Sequence, residues 1–142
     1  MINIRLKYLR DILKIEQFDD GDWIDLRAGE TVIFKKGDYK AIPLGVAMDI
    51  PEGYTAIVAP RSSLFGRYGL LCANSFGVID NSYSGDNDEW HFLVYATKST
   101  MVWKNERICQ FRLIKKGEPV KMEEVTYLGN KDRGGIGSTG RV

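Results

Sequence analysis

Histidine occurs once in this chain, at position 91. A metal site built from several imidazoles is therefore excluded, and any Ser-His-Asp or Cys-His nucleophile would have to rest on that one ring. Acid–base chemistry, if present, falls to a carboxylate. Cysteine occurs twice, at Cys72 and Cys109, far apart and with no CxxC spacing. Both read as small buried hydrophobes of a reducing cytoplasm, with a single disulfide left open. No apolar run approaches the roughly 18 residues of a membrane span, and Met1-Ile2-Asn3-Ile4-Arg5 lacks the layout of a signal peptide. An excess of one charge sign is also missing. With 20 basic and 19 acidic side chains the formal net charge is +1, so no global field recruits nucleic acid or a membrane surface. A polyanionic ligand would need a local cluster, and no Walker A phosphate loop is present to supply one.

The 142 residues, 44% of them hydrophobic, suffice for one domain with a real core. Alternation at Ile2, Ile4, Leu6 and Tyr8 predicts an opening strand, and residues 9–17 can form a short helix. Further strands are expected over 31–34, 42–50 and 54–59, the second of these stopped by Pro51-Glu52-Gly53. Ser62 or Ser63 can cap one short helix running to Tyr68. Strands over 90–95, 101–103, 108–114 and 120–128 complete the series. Many short strands at roughly ten-residue spacing predict an all-β sandwich, barrel or jelly roll. Residues 129–142 read GNKDRGGIGSTGRV, with five glycines and two apolar side chains, and cannot pack a core. The expected organisation is a body over residues 1–128 and a flexible tail over 129–142.

Chemistry concentrates in residues 61–86, RSSLFGRYGLLCANSFGVIDNSYSGD. Val78 and Ile79 favour a strand, and Asp80-Asn81-Ser82 favours a turn, so a hairpin with an acid at its corner is expected. Asp80 taken alone has two readings: closing an Asx-turn, or serving as a catalytic acid or base. Upstream, Arg61, Ser62 and Ser63 gather a cation, two hydroxyls and the free amides of a helix start, a ready anion pocket. Gln110 lies in a polar set, Glu106-Arg107-Ile108-Cys109-Gln110, on a predicted strand. In the tail, Arg133, Ser138 and Thr139 stand among glycines that let the backbone approach phosphate oxygens.

The order PRSS, GVIDNSY, ERICQF, RGGIGSTG, preceded by Gly21-Asp22-Trp23-Ile24-Asp25-Leu26, resembles the trimeric deoxyuridine triphosphatases (dUTPases), bacterial or phage type. The resemblance implies a β jelly roll or distorted barrel, a homotrimer with shared active sites, and Mg²⁺-dependent hydrolysis of dUTP to dUMP and pyrophosphate. Such an enzyme lowers the dUTP/dTTP ratio, supplies dUMP and works in the cytoplasm, with no direct nucleic-acid or membrane partner. Carried over by motif, Asp80 is the general base and Ser62 reaches the phosphates near the scissile bond. Arg61 and Ser63 support Ser62, and Arg61 can steady Asp80. Gln110 aligns phosphates or water, and Arg133, Ser138 and Thr139 grip the β- and γ-phosphates from a neighbouring subunit. Main-chain groups at Gly77, Val78 and Ile79 pair with uracil, where a side-chain amide such as Asn74 could flip to suit cytosine. Tyr83 lies beneath the sugar. Asp25 either supports the water shell of Mg²⁺, which the triphosphate largely holds, or braces the fold.

Two departures from the family pattern stand out. The tail usually runs RGxGGFGSTG, whereas here Ile136 replaces the aromatic that closes over the base. Trp90, His91 and Phe92 are the candidate replacement lid. Asp86-Asn87-Asp88-Glu89 is unusually acidic and is either a solvated loop or an added cation site. Two rival functions share the fold: a dCTP deaminase, for which Glu89 is the one nearby glutamate, and a regulatory protein that binds a partner in a nucleotide-dependent way.

Overall fold

The computed structural model describes residues 1–142. Eleven short strands and one helix follow in the order β1 Arg5–Tyr8, β2 Ile24–Arg27, β3 Val32–Phe34, β4 Tyr39–Pro43, β5 Val46–Asp49, β6 Tyr54–Pro60, α1 Leu64–Tyr68, β7 Leu70–Cys72, β8 Gly77–Ile79, β9 His91–Ala96, β10 Thr100–Val102 and β11 Arg107–Lys115. Every pairing is antiparallel. The sheets are β2-β11-β6-β8, β4-β9-β7 and the pairs β1-β5 and β10-β3. This is a nearly all-β, jelly-roll-like architecture, divided into separate sheets and not closed into one barrel.

Strand alternation builds the core. Along β9, Phe92, Val94 and Ala96 are buried while His91 and Tyr95 are exposed, the period of two that puts successive side chains on opposite faces. Inward residues of both larger sheets, such as Val58, Phe111, Ile42 and Phe92, belong to one hydrophobic cluster. Trp90 and Phe111 meet within it edge-to-face at 5.2 Å between ring centroids. Strand β11 breaks the alternation once. Its register against β2 shifts between Arg107 and Cys109, so Ile108 and Cys109 are buried in succession. This β-bulge resets the phase and leaves Arg107 and Gln110, three residues apart, both outside the core.

Four sequence expectations need correcting. Residues 9–17 form no helix, because distant acceptors take their amides. Leu9 N–H donates to the Gly45 carbonyl at 2.8 Å, Leu13 N–H to Asn105 Oδ1 at 2.8 Å and Ile15 N–H to Tyr8 Oη at 2.9 Å. The stretch 42–50 is two strands in different sheets, turned at Gly45 with φ +72°. Residues 77–85 form no hairpin, since β8 pairs only with β6 and is left as a sheet edge. Finally, no strand forms over 120–128, and residues 114–142 are exposed throughout. A strand needs a partner, and both sides of β11 are already occupied by β2 and β6.

The burial of Phe92, which is 2% exposed, fixes an expected cost of truncation. Phe92→Ala should lower unfolding stability by about 3–5 kcal/mol in urea denaturation. A loss below about 1 kcal/mol would mean that the ring is not a core member.

Candidate active site

Two groups of polar residues lie at opposite ends of β6. The first surrounds the edge strand β8, whose residues Gly77, Val78 and Ile79 line a cleft of about 320 Å³ together with Asn74, Asp80 and Tyr83. The pairing of Val58 with Gly77 and of Ala56 with Ile79 fixes its place on the sheet. Past Ile79 the chain turns: Tyr83 N–H donates to the Asp80 carbonyl at 3.0 Å, and Ser82 N–H donates to Asp80 Oδ1 at 2.9 Å. The Asx-turn reading of Asp80 is met by Oδ1, and the carboxylate stays exposed to solvent.

The same bond sets the charge of that carboxyl. The Ser82 N–H, then the Ser82 hydroxyl and the Lys116 ammonium, hold the Asp80 carboxyl below the usual carboxylate range. Lys116 donates to Asn81 Oδ1 at 2.7 Å, and its own N–H donates to the Gly53 carbonyl at 2.9 Å, so the start of the tail is pinned beside the turn. Tyr83, part-exposed, donates its hydroxyl to the Glu89 carbonyl at 2.8 Å. Burial, then the charges of Asp88 and Glu89, push its phenol up, so it remains a protonated donor.

The second group lies where β6 ends and α1 begins. Asp25 is paired with two guanidiniums, Arg61 Nε and Arg107 Nη1, each at 3.4 Å. Arg61 Nη1 also donates to the Arg107 carbonyl at 3.1 Å, and Gln110 Nε2 donates to the Pro60 carbonyl at 3.1 Å. Ser62 is exposed, and Ser63 is the helix N-cap residue although its side chain makes no capping bond. Arg61 is thus engaged with Asp25 and Arg107, not with Asp80. Arg107, which the bulge delivers to this cluster, was overlooked as a candidate in the sequence. The signal available was its place in the ERICQF stretch.

The separation of the groups follows from register. Ile79 is opposite Ala56, so β8 delivers Asp80 towards the Tyr54 end of β6, while Ser62 follows its Pro60 end. From Thr55 to Pro60 is five strand positions, about 17 Å at about 3.3 Å per residue. Within one chain the Ser62 group and Asp80 do not meet.

The proposed lid residues divide. Trp90 and Phe92 are 1% and 2% exposed and packed in the core, which removes them as mobile lids, although Trp90 borders the cleft from below. His91 alternates outward and lines the cleft. The indole Nε1 of Trp90 is buried without an acceptor. Ile136 is fully exposed, and Arg133, Ser138 and Thr139 are exposed, in a tail that folds only into local turns such as Ser138 N–H to the Gly135 carbonyl. In the acidic loop, Glu89 is bound to Arg10 at 2.7 Å and accepts from Gly45 N–H at 2.9 Å, so its carboxylate is neither solvated nor free for a cation or for deamination chemistry. No group of three or more His, Cys, Asp or Glu side chains is arranged to hold a metal ion. No helix is long and apolar enough to cross a membrane.

The family model described as dUTPase matches residues 23–140. The SPbeta prophage-derived deoxyuridine 5'-triphosphate nucleotidohydrolase YosS of Bacillus subtilis is 54% identical over 140 residues, covering 98% of this chain and 99% of that protein. A deoxyuridine 5'-triphosphate nucleotidohydrolase of Streptomyces avermitilis is 36% identical over 118 residues, covering 82% of this chain and 67% of that protein. Among solved structures, a Staphylococcus bacteriophage 80alpha dUTPase mutant with dUpNHpp superposes with a TM-score of 0.81 at 20% identity, covering 99% of both chains. A phage phi11 dUTPase mutant described as coordinating a structural Mg(II) ion gives 0.77 at 16% identity, covering 89% of this chain and 98% of that one.

The Asx-turn yields a titration result. Ser82→Ala removes one of the bonds that favour the ionised carboxyl, so the Asp80 pKa should rise towards the ordinary value. Carbon-detected NMR titration checks this, and an unchanged or lower pKa would contradict the assigned cause.

Proposed function

The chain belongs to the dUTPase family, and from that premise we propose that it hydrolyses dUTP to dUMP and pyrophosphate at sites completed by more than one copy of the chain. The observation that carries this reading is the cleft, where an edge strand with unpaired main-chain groups, an amide, a tyrosine and an exposed acid share a wall. An edge strand presents donors and acceptors at fixed spacing, as a pairing base does. Uracil bound along Gly77–Ile79 would satisfy them, whereas cytosine would leave buried polar groups unpaired, a mismatch worth up to about 10⁴–10⁵ in discrimination. Tyr83 beneath the sugar would exclude a ribose 2′-hydroxyl.

Hydrolysis forms a bond from water oxygen to the α-phosphorus and breaks the bond from that phosphorus to the α,β-bridging oxygen. The water proton goes to Asp80 Oδ2, and pyrophosphate leaves with the bridging oxygen. A carboxylate held below its usual pKa is ionised at neutral pH but is a weak base. A positioned base contributes about 10²–10⁴-fold, so orientation and charge neutralisation must supply most of the acceleration. Arg61, Ser62, Ser63, Arg107 and Gln110 form the matching phosphate-facing set, and Arg133, Ser138 and Thr139 would close over the β- and γ-phosphates.

Mg²⁺ fits this donor set as an ion carried by the triphosphate and its waters. It keeps much of its hydration and needs few protein ligands, and the one carboxylate near the phosphate set, Asp25, is already shared between Arg61 and Arg107. Asp25 thus braces the two arginines, with any contact to the ion made through water. When bound, Mg²⁺ would offset phosphate charge.

Register supports a shared site. If Asp80 and Ser62 act on one triphosphate while standing at opposite ends of β6 in each chain, they come from different copies. Such head-to-tail contacts can close into a ring, and the ring proposed is the homotrimer that the family resemblance implies. The exposed tail, from Gly117 onward, is then free to reach a site in the ring.

Pyrophosphate release from dUTP, dCTP, dTTP and UTP with Mg²⁺ tests the reading. Turnover selective for dUTP, reduced at least about 10²-fold by Asp80→Asn, is expected. Ammonia from dCTP, or full activity in Asp80→Asn, would overturn it.

A further inference from the structure

The outer face of the β4-β9-β7 sheet carries little that prefers water. Paired residues share a face, so the register puts Tyr39, Tyr95 and Leu71 in one row across it and Ala41 and Leu93 in the next. The opposite face of β9 is core, since Phe92, Val94 and Ala96 are buried. Tyr39, Tyr95 and Leu71 are 62%, 44% and 46% exposed. None of these five outward residues is charged at neutral pH. The outer face of the larger sheet is different, because Asp25, Gln110 and Arg112 stand on it. A contiguous exposed apolar patch of this kind marks a contact surface.

Its position says what covers it. Leu93 and the outward His91 also line the cleft beside β8. At the far end of β9, the N–H and hydroxyl of Thr97 both donate to the carbonyl of Gly69, the residue that caps α1, at 2.9 and 2.6 Å. The apolar face therefore spans from the cleft to α1, between the two polar groups that the proposed reaction needs together. Charge is divided in the same way. The turn and loop after β8 carry Asp80, Asp86 and Asp88, whereas α1 and its surroundings carry Arg61, Arg67 and Arg107. Copies arranged head to tail bring opposite charges together, and copies arranged head to head bring like charges together. On α1, Phe65 is exposed and stands three residues beyond Ser62. A Ser62 brought to a neighbour's cleft carries Phe65 onto the apolar face beside it, where Tyr95 is two strand positions, roughly 7 Å, from Leu93.

We propose that this face is the contact between successive copies of the chain: α1 of one copy, with Phe65, packs on the Tyr39–Tyr95–Leu71 row of the next. The proposal rests on the shared-site reading above and names the surface which that reading leaves open. Burial of aromatic and aliphatic side chains drives the association, and the opposed charges at the two ends set its direction. Because the two surfaces in contact differ, the association is heterologous and closes as a ring.

Sedimentation without nucleotide tests the surface. The wild type, Tyr95→Glu, Phe65→Lys and the double variant are compared, with Ile33→Glu as a control at an exposed apolar position on β3, outside the face. Each single substitution on the face should raise the protein concentration needed for assembly about thirtyfold or more, as loss of a central contact does. Ile33→Glu should leave it unchanged. Joining Tyr95→Glu and Phe65→Lys in one chain pairs the new charges across every contact and should recover about tenfold of the loss. Wild-type assembly in both single variants, a double variant no better than either single, equal weakening by Ile33→Glu, or a wild type that stays monomeric would each overturn the proposal. Loss of the folded circular dichroism spectrum in dilute Tyr95→Glu would place the tyrosine in the core of the single chain and overturn it as well. A ring that assembles as expected while hydrolysing no dUTP would remove the activity reading instead and leave the contact standing.

Discussion

The pairing of β6 with β8 is the constraint on which the account depends. Antiparallel register places Gly77 against Val58 and Ile79 against Ala56, which commits Asp80 to one end of β6. The same strand runs into Arg61, Ser62 and α1 at its other end. A rigid strand cannot bring its two ends together, so under the proposed reading each chain contributes two half-sites. A one-residue slip of β8 would reverse which of its side chains face the cleft.

Electrostatics at the two ends are arranged differently. At the turn, a carboxylate is kept ionised by an amide and a nearby lysine while remaining exposed. At the Pro60 end of β6, one acid stands between two arginines, which leaves a net positive cluster with its guanidiniums held in place. A triphosphate laid between such groups would meet positive charge at its tail and an acceptor for the water proton near its α-phosphorus. Neither arrangement requires a histidine, in keeping with a chain that has only one.

Much of the local structure of the candidate site was legible in the sequence because near neighbours set it. Asp80-Asn81-Ser82 dictates its own turn, and Gly77–Ile79 dictates an extended segment leading into it. The errors arose where long-range contacts override local preference. Residues 9–17 have a helical pattern, yet their amides are taken by Gly45, Asn105 and Tyr8. Trp90 and Phe92 read as surface aromatics until the phase of β9 is known. The return strand after β8 failed for the same reason, since the chain crosses to another sheet. Arg107 was hidden by a bulge, which no period-two pattern reveals. Lys116 was hidden by a contact across 35 positions of sequence.

Subunit complementation tests the composite site most directly. Asp80→Asn and Arg61→Ala chains are prepared separately, each expected to be nearly inactive, and are then unfolded and refolded together in equal amounts. If the two half-sites come from different copies, about one quarter of the sites in randomly mixed rings regain both intact halves, and dUTP hydrolysis returns accordingly. Activity no greater than the sum of the separate chains, in rings shown to be mixed, would place both groups in one chain's site and contradict the account.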